Sequence, residues 1–415
     1  MANNNCYIDV KSTVKRCFID LFAGCGGLSL GLHKAGWEGI FVIEKSPDAF
    51  LTLQHNLIIK NNHFNWPHWL EQTNHDINYI IKKYSKNLRS LRGSVTLVAG
   101  GPPCQGFSMA GRRCEGDERN KLIDSYIEFV RLVEPKILFF ENVKGFTIGF
   151  KKENDVHNRD KAYSQYVWEK LEALGYNVHG DILDFSQFGV PQRRQRFILV
   201  GTKIGSAEYF FKRIVENKGA FLKTKGIKTD TVSLEDAISD LLQKHGQTTS
   251  PDSPNFYAGK YSKPQNNYQK LMRTKAHKVG QVADSHRFAN HTKEISERFK
   301  FILDNLKRNK NISDLHREKF RLKKHTIVPL SRSMQTPTLT TLPDDYIHYC
   351  EPRILTVREY ARIQTFPDEY EFIGKYTTGG NRRKIDVPRY SQIGNAIPPL
   401  FAEQAGLILR QMVDI

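Results

Sequence analysis

The 415-residue chain predicts an α/β fold, a mostly parallel sheet with helices on both faces joined to a second, smaller and irregular domain. Three observations predict it. Up to about Gly205, short β-branched or aromatic runs alternate with helical patterns, as βαβ units do. Beyond Gly205, Lys, Asn, Ser and Thr become dense and neither period persists, although aromatic residues do. From Tyr390 onward, SQIGNAIPPLFAEQAGLILRQMV turns apolar and helical again. The larger domain is therefore assigned to residues 14–205 with 390–415, and the smaller to 206–389.

The strands expected before Gly205 are Cys17–Phe22, Gly39–Glu44, Val95–Ala99, Ile137–Asn142, Val178–Asp184 and Phe197–Gly201. Between them, Tyr166–Tyr176 places Val167, Leu171 and Leu174 on one helical face, with Gly175 as a C-cap. In the smaller domain a helix is expected at Lys293–Leu306, where Ile295, Phe299, Ile302 and Leu306 align.

A hydrophobic fraction of 39% with 26% charged residues is ordinary for a globular protein. No run of about eighteen apolar residues occurs, and MANNNCYIDVKSTVKRCFIDLF lacks the apolar region of a secretory signal, so a cytosolic protein is expected, with no membrane partner. Six scattered cysteines form no CxxC pair and no Cys/His spacing of the zinc kind; neither disulfides nor a metal is expected. A net charge of +18 suits a polyanionic partner through counterion release, or a generally basic solvated surface.

In FIDLFAGCGGLSLGL a strand runs directly into a glycine-rich turn and a helix. Gly24, Gly26 and Gly27 permit a tight turn and close approach of a ligand, or only the turn. Glu44, ending the second strand, is placed to accept both hydroxyls of a ribose, and Asp76 to meet an adenine; singly, each also reads as a solvated loop acid. No lysine follows the glycines, so a nucleoside without a phosphate chain fits better than a nucleotide triphosphate.

After VTLVAG comes GPPCQGFSMAGRRCEGDERN, where Pro102 and Pro103 fix Cys104 at the sheet edge and Gly106, Gly111 and Gly116 hinge the basic loop beyond it. A lone cysteine at a strand end is also a common buried filler. The strand ILFFENV brings Glu141 to the same edge. VPQRRQRFILVG sets Arg194 and Arg196 two apart on one face, for catalysis or for plain solvation or phosphate contact.

FAGCGGLSLGL, Glu44, Asp76, GPPCQGFS, ENV, QRRQR, RSMQTPTLTT and QIGNAIPP follow one another in a set order, and in this the chain resembles the cytosine-5 DNA methyltransferases, of the bacterial restriction-modification type, over nearly its full length. The resemblance implies a Rossmann-like, S-adenosylmethionine-dependent methyltransferase sheet with a smaller target recognition domain. It implies donor contacts at Phe22, Gly24, Gly26, Leu28, Glu44 and Asp76, with Asn395 and Ala396 returning beside the first helix to complete that pocket. It also implies that Cys104 adds to C6 of cytosine, that Glu141 acts at N3, and that Arg194 lies near the ring.

The target carbon is inaccessible in a duplex, so the base must be flipped out. Arg112, Arg113 and Arg119 are then placed to clamp phosphates, and Gln105 and Ser108 to line the gap. Residues from roughly Ser206 to His325 occupy the position of the target recognition region. There His286, Arg287, Asn290 and His291 are candidates for reading base edges, or for a purely structural loop. The segment IGKYTTGGNRRKIDVPRY, longer than the family's usual link, adds DNA contacts or merely extends a loop. The expected partners are double-stranded DNA and a cognate restriction endonuclease that forms no stable complex with a monomeric enzyme. A tRNA cytosine-5 methyltransferase would share the core motifs, but the Cys-Phe-Thr tripeptide of that branch is absent. A non-catalytic DNA-binding paralogue would have lost one of the nucleophile, the ENV acid or the donor glycines, and all three are present.

Overall fold

The computed structural model describes residues 16–103, 121–148, 151–152, 155–159, 162–228, 231–379, 382 and 385–414. Among these, eight strands occur up to residue 202: β1 Cys17–Leu21, β2 Glu38–Ile43, β3 Leu97–Gly100, β4 Ile137–Val143, the short pair β5 Lys151–Lys152 and β6 Asp155–Arg159, then β7 Asn177–Asp184 and β8 Gln195–Thr202. Six of them form one sheet in the order β2-β1-β3-β4-β8-β7. β2, β1, β3 and β4 are mutually parallel, and β8 alone runs against its neighbours. All six expected strands are present within a residue or two of their expected limits.

Alternation along the strands divides the core between two faces. Phe18, Val42, Ala99, Phe139, Ile198 and Val200 belong to one buried cluster, shared with the helices Gly27–Lys34, Glu208–Thr224 and Pro399–Val413. Ile19, Leu21, Phe41, Val98, Leu138, Phe140 and Leu199 belong to the other, shared with Ile77–Lys83, Lys121–Val133 and Tyr163–Ala173. The first cluster continues into the smaller domain through Leu234, Tyr261, Ala283, Tyr360 and Phe366. In the helix Glu208–Thr224, Phe210 meets Phe139 of the large sheet edge-on at 6.0 Å, so this helix packs with the sheet layer.

The carboxyl-terminal helix Pro399–Val413 lies directly on the first helix, Gly27–Lys34. Contact is close enough that a methyl group on Gly31 would sit 2.3 Å from the Ala402 Cβ, and the Trp37 indole donates to the Gly406 carbonyl at 2.9 Å.

Beyond the helix Glu208–Thr224 lies a three-stranded antiparallel sheet of β9 Gln247–Ser250, β10 Ser253–Lys260 and β11 Val282–Arg287, in the order β11-β10-β9. The helix expected at Lys293–Leu306 is found at Lys293–Asn305, capped by the Thr292 hydroxyl and buried through Phe299, Ile302 and Leu303 in a separate small cluster. Among the described residues no helix is long and apolar enough to cross a membrane.

Below β11 lies a buried polar network. Glu359 completes a capping box with Thr356 and takes two bonds from the Arg353 guanidinium at 2.7 and 2.8 Å. His348 and His286 flank it, and burial pulls their imidazoles down to about 3 and about 4. Both must fold neutral, whereas an unfolded histidine titrates near 6.5. Their contribution to stability is therefore complete above about pH 6.5 and is lost as pH falls towards the folded values. The thermal midpoint is expected to fall between pH 7 and pH 5, with His348→Gln flattening that slope. A midpoint equally pH-insensitive in both proteins would show that the two imidazoles do not control it.

Candidate active site

β1 pairs with β2 on one side and β3 on the other, and both crossovers begin or end at the carboxyl ends of these strands. Such a switch in strand order opens a crevice at that edge. The loops following β1 and β2, and residues 101–103 after β3, stand at that edge.

The loop after β1 is held in an unusual backbone shape. Phe22, Gly24 and Gly26 have φ of 60, 56 and 89°, the left-handed region, where glycine alone is free of a Cβ penalty. A Cβ on Gly24 would meet nothing within 4 Å, so backbone there faces open space. Glu44, one residue past β2, is half-buried; one carboxylate oxygen accepts from the Gly24 N–H at 2.8 Å and the other from the Ser46 N–H at 2.7 Å. Burial outweighs these bonds and raises its pKa. Each oxygen retains a lone pair, the acceptor pattern a ribose diol needs.

His75 donates its N–H to the Glu44 carbonyl at 2.7 Å, which brings Asp76 beside the same crevice. Asp76 caps the helix Ile77–Lys83 and pairs with Lys45 at 2.9 Å; although burial opposes it, Lys45 and the Asn78 N–H hold the carboxyl below its usual range. Leu28 is buried, with its side chain in the core. Ala396 reaches the first helix, its Cβ 3.4 Å from the position of a Cβ on Gly27, and Asn395 is exposed at the end of the helix Arg389–Asn395. These residues fit a nucleoside donor, with an oriented carboxylate beside backbone that has room above it.

The catalytic edge continues beyond β3. Cys104, Gln105, Ser108, Arg112, Arg113 and Arg119 lie outside the described residues. The turn before them is firmly held, because Asn142 of the ENV sequence donates to the Pro102 carbonyl at 3.2 Å. A Cβ on Gly101 would lie 2.9 Å from a Glu141 carboxylate oxygen, so the acid lies over the backbone leading to Pro102.

β8 runs antiparallel to β4, so its beginning stands beside the end of β4, with Arg196 opposite Val143 and Ile198 opposite Glu141. Directly opposed residues share a sheet face, and diagonal neighbours on it are within reach of long side chains. Arg196 accordingly donates through Nε to Glu141 at 3.0 Å, with only 12% and 13% of the two side chains exposed.

Arg194, which the resemblance places near the cytosine ring, is engaged by the protein itself. Its guanidinium is buried and donates to the carbonyls of Gly394 and Ala396 at 3.0 and 3.4 Å, so it braces QIGNAIPP, while Arg196 is the arginine in contact with Glu141. Burial first, and then the neighbouring Arg196, lower its pKa.

In the smaller domain, the base-reading candidates are engaged by the protein itself. His286 is 1% exposed, with one ring nitrogen on the Thr356 hydroxyl and the other on the Leu241 carbonyl, so it is a structural histidine and has no free edge for a base. Arg287 lies between the rings of Phe256 and Tyr376, 4.0 and 3.7 Å from their centroids, and also bonds the Ser253 hydroxyl. Asn290 donates to the Asn255 carbonyl, and His291 accepts from the Ile354 N–H. Tyr376 belongs to the long link, whose described residues also bind the helix Pro47–Leu53: Ile373 N–H donates to Thr52 and Val387 N–H to Asp48, both at 2.9 Å.

Several residues at the site were missed from sequence. Asp20 is a fully buried acid in β1; burial pushes its carboxyl up to about 7, and the Ser29 hydroxyl donates to it at 2.6 Å. A single polar residue in the apolar run FIDLF was the available signal. Gln192 and Gln364 are buried and bonded to each other at 2.9 Å, and Gln364 donates onward to the Ile393 and Ala396 carbonyls. No short-range pattern reveals a pairing across 172 positions.

A glycine turn at a topological switch point, an oriented acid after the second strand and an ion-paired acid beside a Pro-Pro turn define a Rossmann-like methyltransferase sheet. The family model described as C-5 cytosine-specific DNA methylase matches residues 17–410, and the chain belongs to that family; it is a DNA cytosine-5 methyltransferase. The family's methyl donor is S-adenosylmethionine, and its substrate is DNA. The Type II methyltransferase M.DdeI of Desulfomicrobium norvegicum is 33% identical over 93% of this chain and 86% of its own length. The Type II methyltransferase M.XorII of Xanthomonas oryzae is 29% identical over 94% and 83%. Among solved structures, an E. coli prophage-encoded protein described as a DNA modification methyltransferase shares the fold, with a TM-score of 0.63 at 23% identity over 96% of this chain and 99% of that one.

If Glu44 receives the ribose, Glu44→Gln weakens S-adenosylmethionine binding by about ten-fold or more in calorimetry, because one acceptor becomes an amide donor. Unchanged affinity would remove Glu44 from the donor site.

Proposed function

We propose that this enzyme methylates C5 of a cytosine flipped out of a short, specific duplex sequence, with Cys104 as nucleophile and the Glu141–Arg196 pair at the base, and that it protects host DNA from a cognate restriction endonuclease. The observation that carries the reading is the ion pair at 3.0 Å, beside the turn that Asn142 holds in front of Cys104.

S-adenosylmethionine, when bound, supplies a methyl on a positively charged sulfur. C5 is a poor nucleophile until conjugation in the ring is broken. The Cys104 thiolate forms a bond to C6, and the electron pair displaced from the C5–C6 double bond makes C5 nucleophilic. Glu141 holds a proton at N3, so charge does not accumulate on the ring. Arg196 fixes the carboxyl in that place and adds positive charge near the thiolate. After transfer, a base removes the C5 proton and the sulfur leaves C6; water is sufficient for that step.

Phe22, Gly24, Glu44, Asp76 and Ala396 form the donor seat in this reading, with backbone contacts at Gly26 and Leu28 and with Asn395 at its rim. Gln105, Ser108, Arg112, Arg113 and Arg119 remain the proposed contacts to the DNA backbone around the flipped base. Arg287 contributes to target readout through the aromatic cluster it completes. Residues beyond the helix Glu208–Thr224, which packs with the large sheet, carry that readout in this reading. In this reading the enzyme works as a monomer in the bacterial cytosol, without a bound metal and without a stable complex with its endonuclease.

Bisulfite sequencing of DNA from a methylation-free host expressing the chain is expected to show protected cytosines at one short motif. Cys104→Ser should abolish them, and Glu141→Gln should lower kcat by about 10²- to 10⁴-fold. Full conversion of DNA alongside methylated tRNA would replace this reading with the tRNA enzyme.

The two arginines should separate in the same assays. Arg196→Lys lowers kcat with little change in thermal midpoint, whereas Arg194→Lys chiefly lowers the midpoint, by removing donors from buried carbonyls. The opposite pattern would reverse their roles.

A further inference from the structure

The left-handed turn after β1 is restrained from two sides. Glu44 holds Gly24 from the crevice side. From the core side, the Tyr370 hydroxyl donates to the Cys25 carbonyl at 2.5 Å, across 345 positions of sequence. Tyr370 is 3% exposed and packed against Phe366 and Phe372, with ring centroids at 5.0 and 5.6 Å. A Cβ on Gly26 would lie 2.8 Å from that hydroxyl and 2.9 Å from the Leu57 side chain, so the glycine both adopts a positive φ and leaves the space the tyrosine occupies.

Tyr370 is itself fixed from behind. The Arg358 guanidinium, wholly buried, donates to the Tyr370 carbonyl at 2.8 Å and the Pro367 carbonyl at 3.2 Å. It also binds Asp284 of β11, through the side chain at 2.7 Å and the carbonyl at 2.9 Å. An unbroken series of bonds therefore runs from the small sheet through one guanidinium and one phenol to the donor turn.

We propose that Tyr370 is a positioning residue for the donor turn, and that Arg358 anchors it to the small sheet, so that donor affinity depends on a hydroxyl delivered by the smaller domain. Tyr370 need not touch the donor. By holding the Cys25 carbonyl it keeps the N–H groups and open backbone of Phe22–Gly24 in one arrangement, and without that bond the turn relaxes among several. A buried carbonyl left unsatisfied adds to the cost. The inference rests on the donor seat proposed above.

The test is Tyr370→Phe in the full-length protein, which removes one oxygen and preserves the ring packing. Calorimetric titration with S-adenosylmethionine and with S-adenosylhomocysteine is expected to show both bound about five- to ten-fold more weakly. KM for the donor should rise with kcat at saturating donor retained, and the affinity for target duplex without donor should stay as in the unaltered enzyme. Hydrogen exchange in a peptide spanning Phe22–Leu30 should quicken, which reports on the turn independently of activity. Unchanged affinity for both nucleosides overturns the proposal, and so does a parallel loss of duplex affinity, which would mark general loosening of the fold. Glu44→Gln in the same titrations separates the two ideas. If it weakens donor binding while Tyr370→Phe does not, only the positioning role falls; if neither has an effect, the donor seat itself is wrong.

Discussion

The reversal of one strand is the constraint on which the catalytic edge depends. Had β8 run parallel to β4, its first paired residues would lie beside Ile137 at the opposite end of the strand, four residues of extended chain from Glu141. Because it runs antiparallel, QRRQR begins where ENV ends, and two arginines arrive beside an acid without any long loop. The same edge receives the carboxyl ends of β1, β2 and β3, so the acid, the Pro-Pro turn and the donor turn are all placed by backbone hydrogen bonding. Rigid strands hold such groups more exactly than loops do.

Polar groups buried behind this edge are numerous, and most are paired. Arg362 is fully enclosed yet meets Asp368 at 2.7 Å and Asp240 at 3.1 Å, and Arg353 does the same with Glu359. Such pairs add little net stability over apolar residues, but removing one partner costs about 3–5 kcal/mol because the other charge is left unpaired. They therefore act as registration: the segments around residues 240, 284, 358 and 368 fit together in one way. Arg194 and Gln364 do for QIGNAIPP what these pairs do for the smaller domain, with the Ala396 carbonyl accepting from both.

The fold was largely legible in the sequence, because strand periods, turn glycines and acids at strand ends are local signals. β1, β2 and β4, and the placement of Glu44 and Glu141, followed from them directly. The division of labour between Arg194 and Arg196 was not legible. Both project from one short stretch, and only the segment arriving from residues 394–396 decides which of them is consumed by carbonyls. The role of His286, open in the sequence between base readout and a structural loop, was undecidable there for a related reason. A histidine in a polar, basic stretch looks available, but its environment is set by Thr356 and Leu241, which no local pattern brings near. Tyr370 was invisible for the same cause, being meaningful only through a partner 345 positions away.

The contact between the first helix and the last has a temporal meaning. Gly31 and Trp37 are covered by Ala402 and Gly406, and the glycine turn is braced by residues 370 and 392. During synthesis, the strand and turn that would seat the donor leave the ribosome well before the surfaces that close around them, which lie more than 300 residues further along the chain. A nascent chain can form βαβ units early, but it cannot complete the core beneath its own first helix until residues near 400 have appeared. Contacts so distant in sequence also slow the final folding step. The donor turn thus stays unfinished through most of the synthesis of this region, until residues 370 to 406 have followed it.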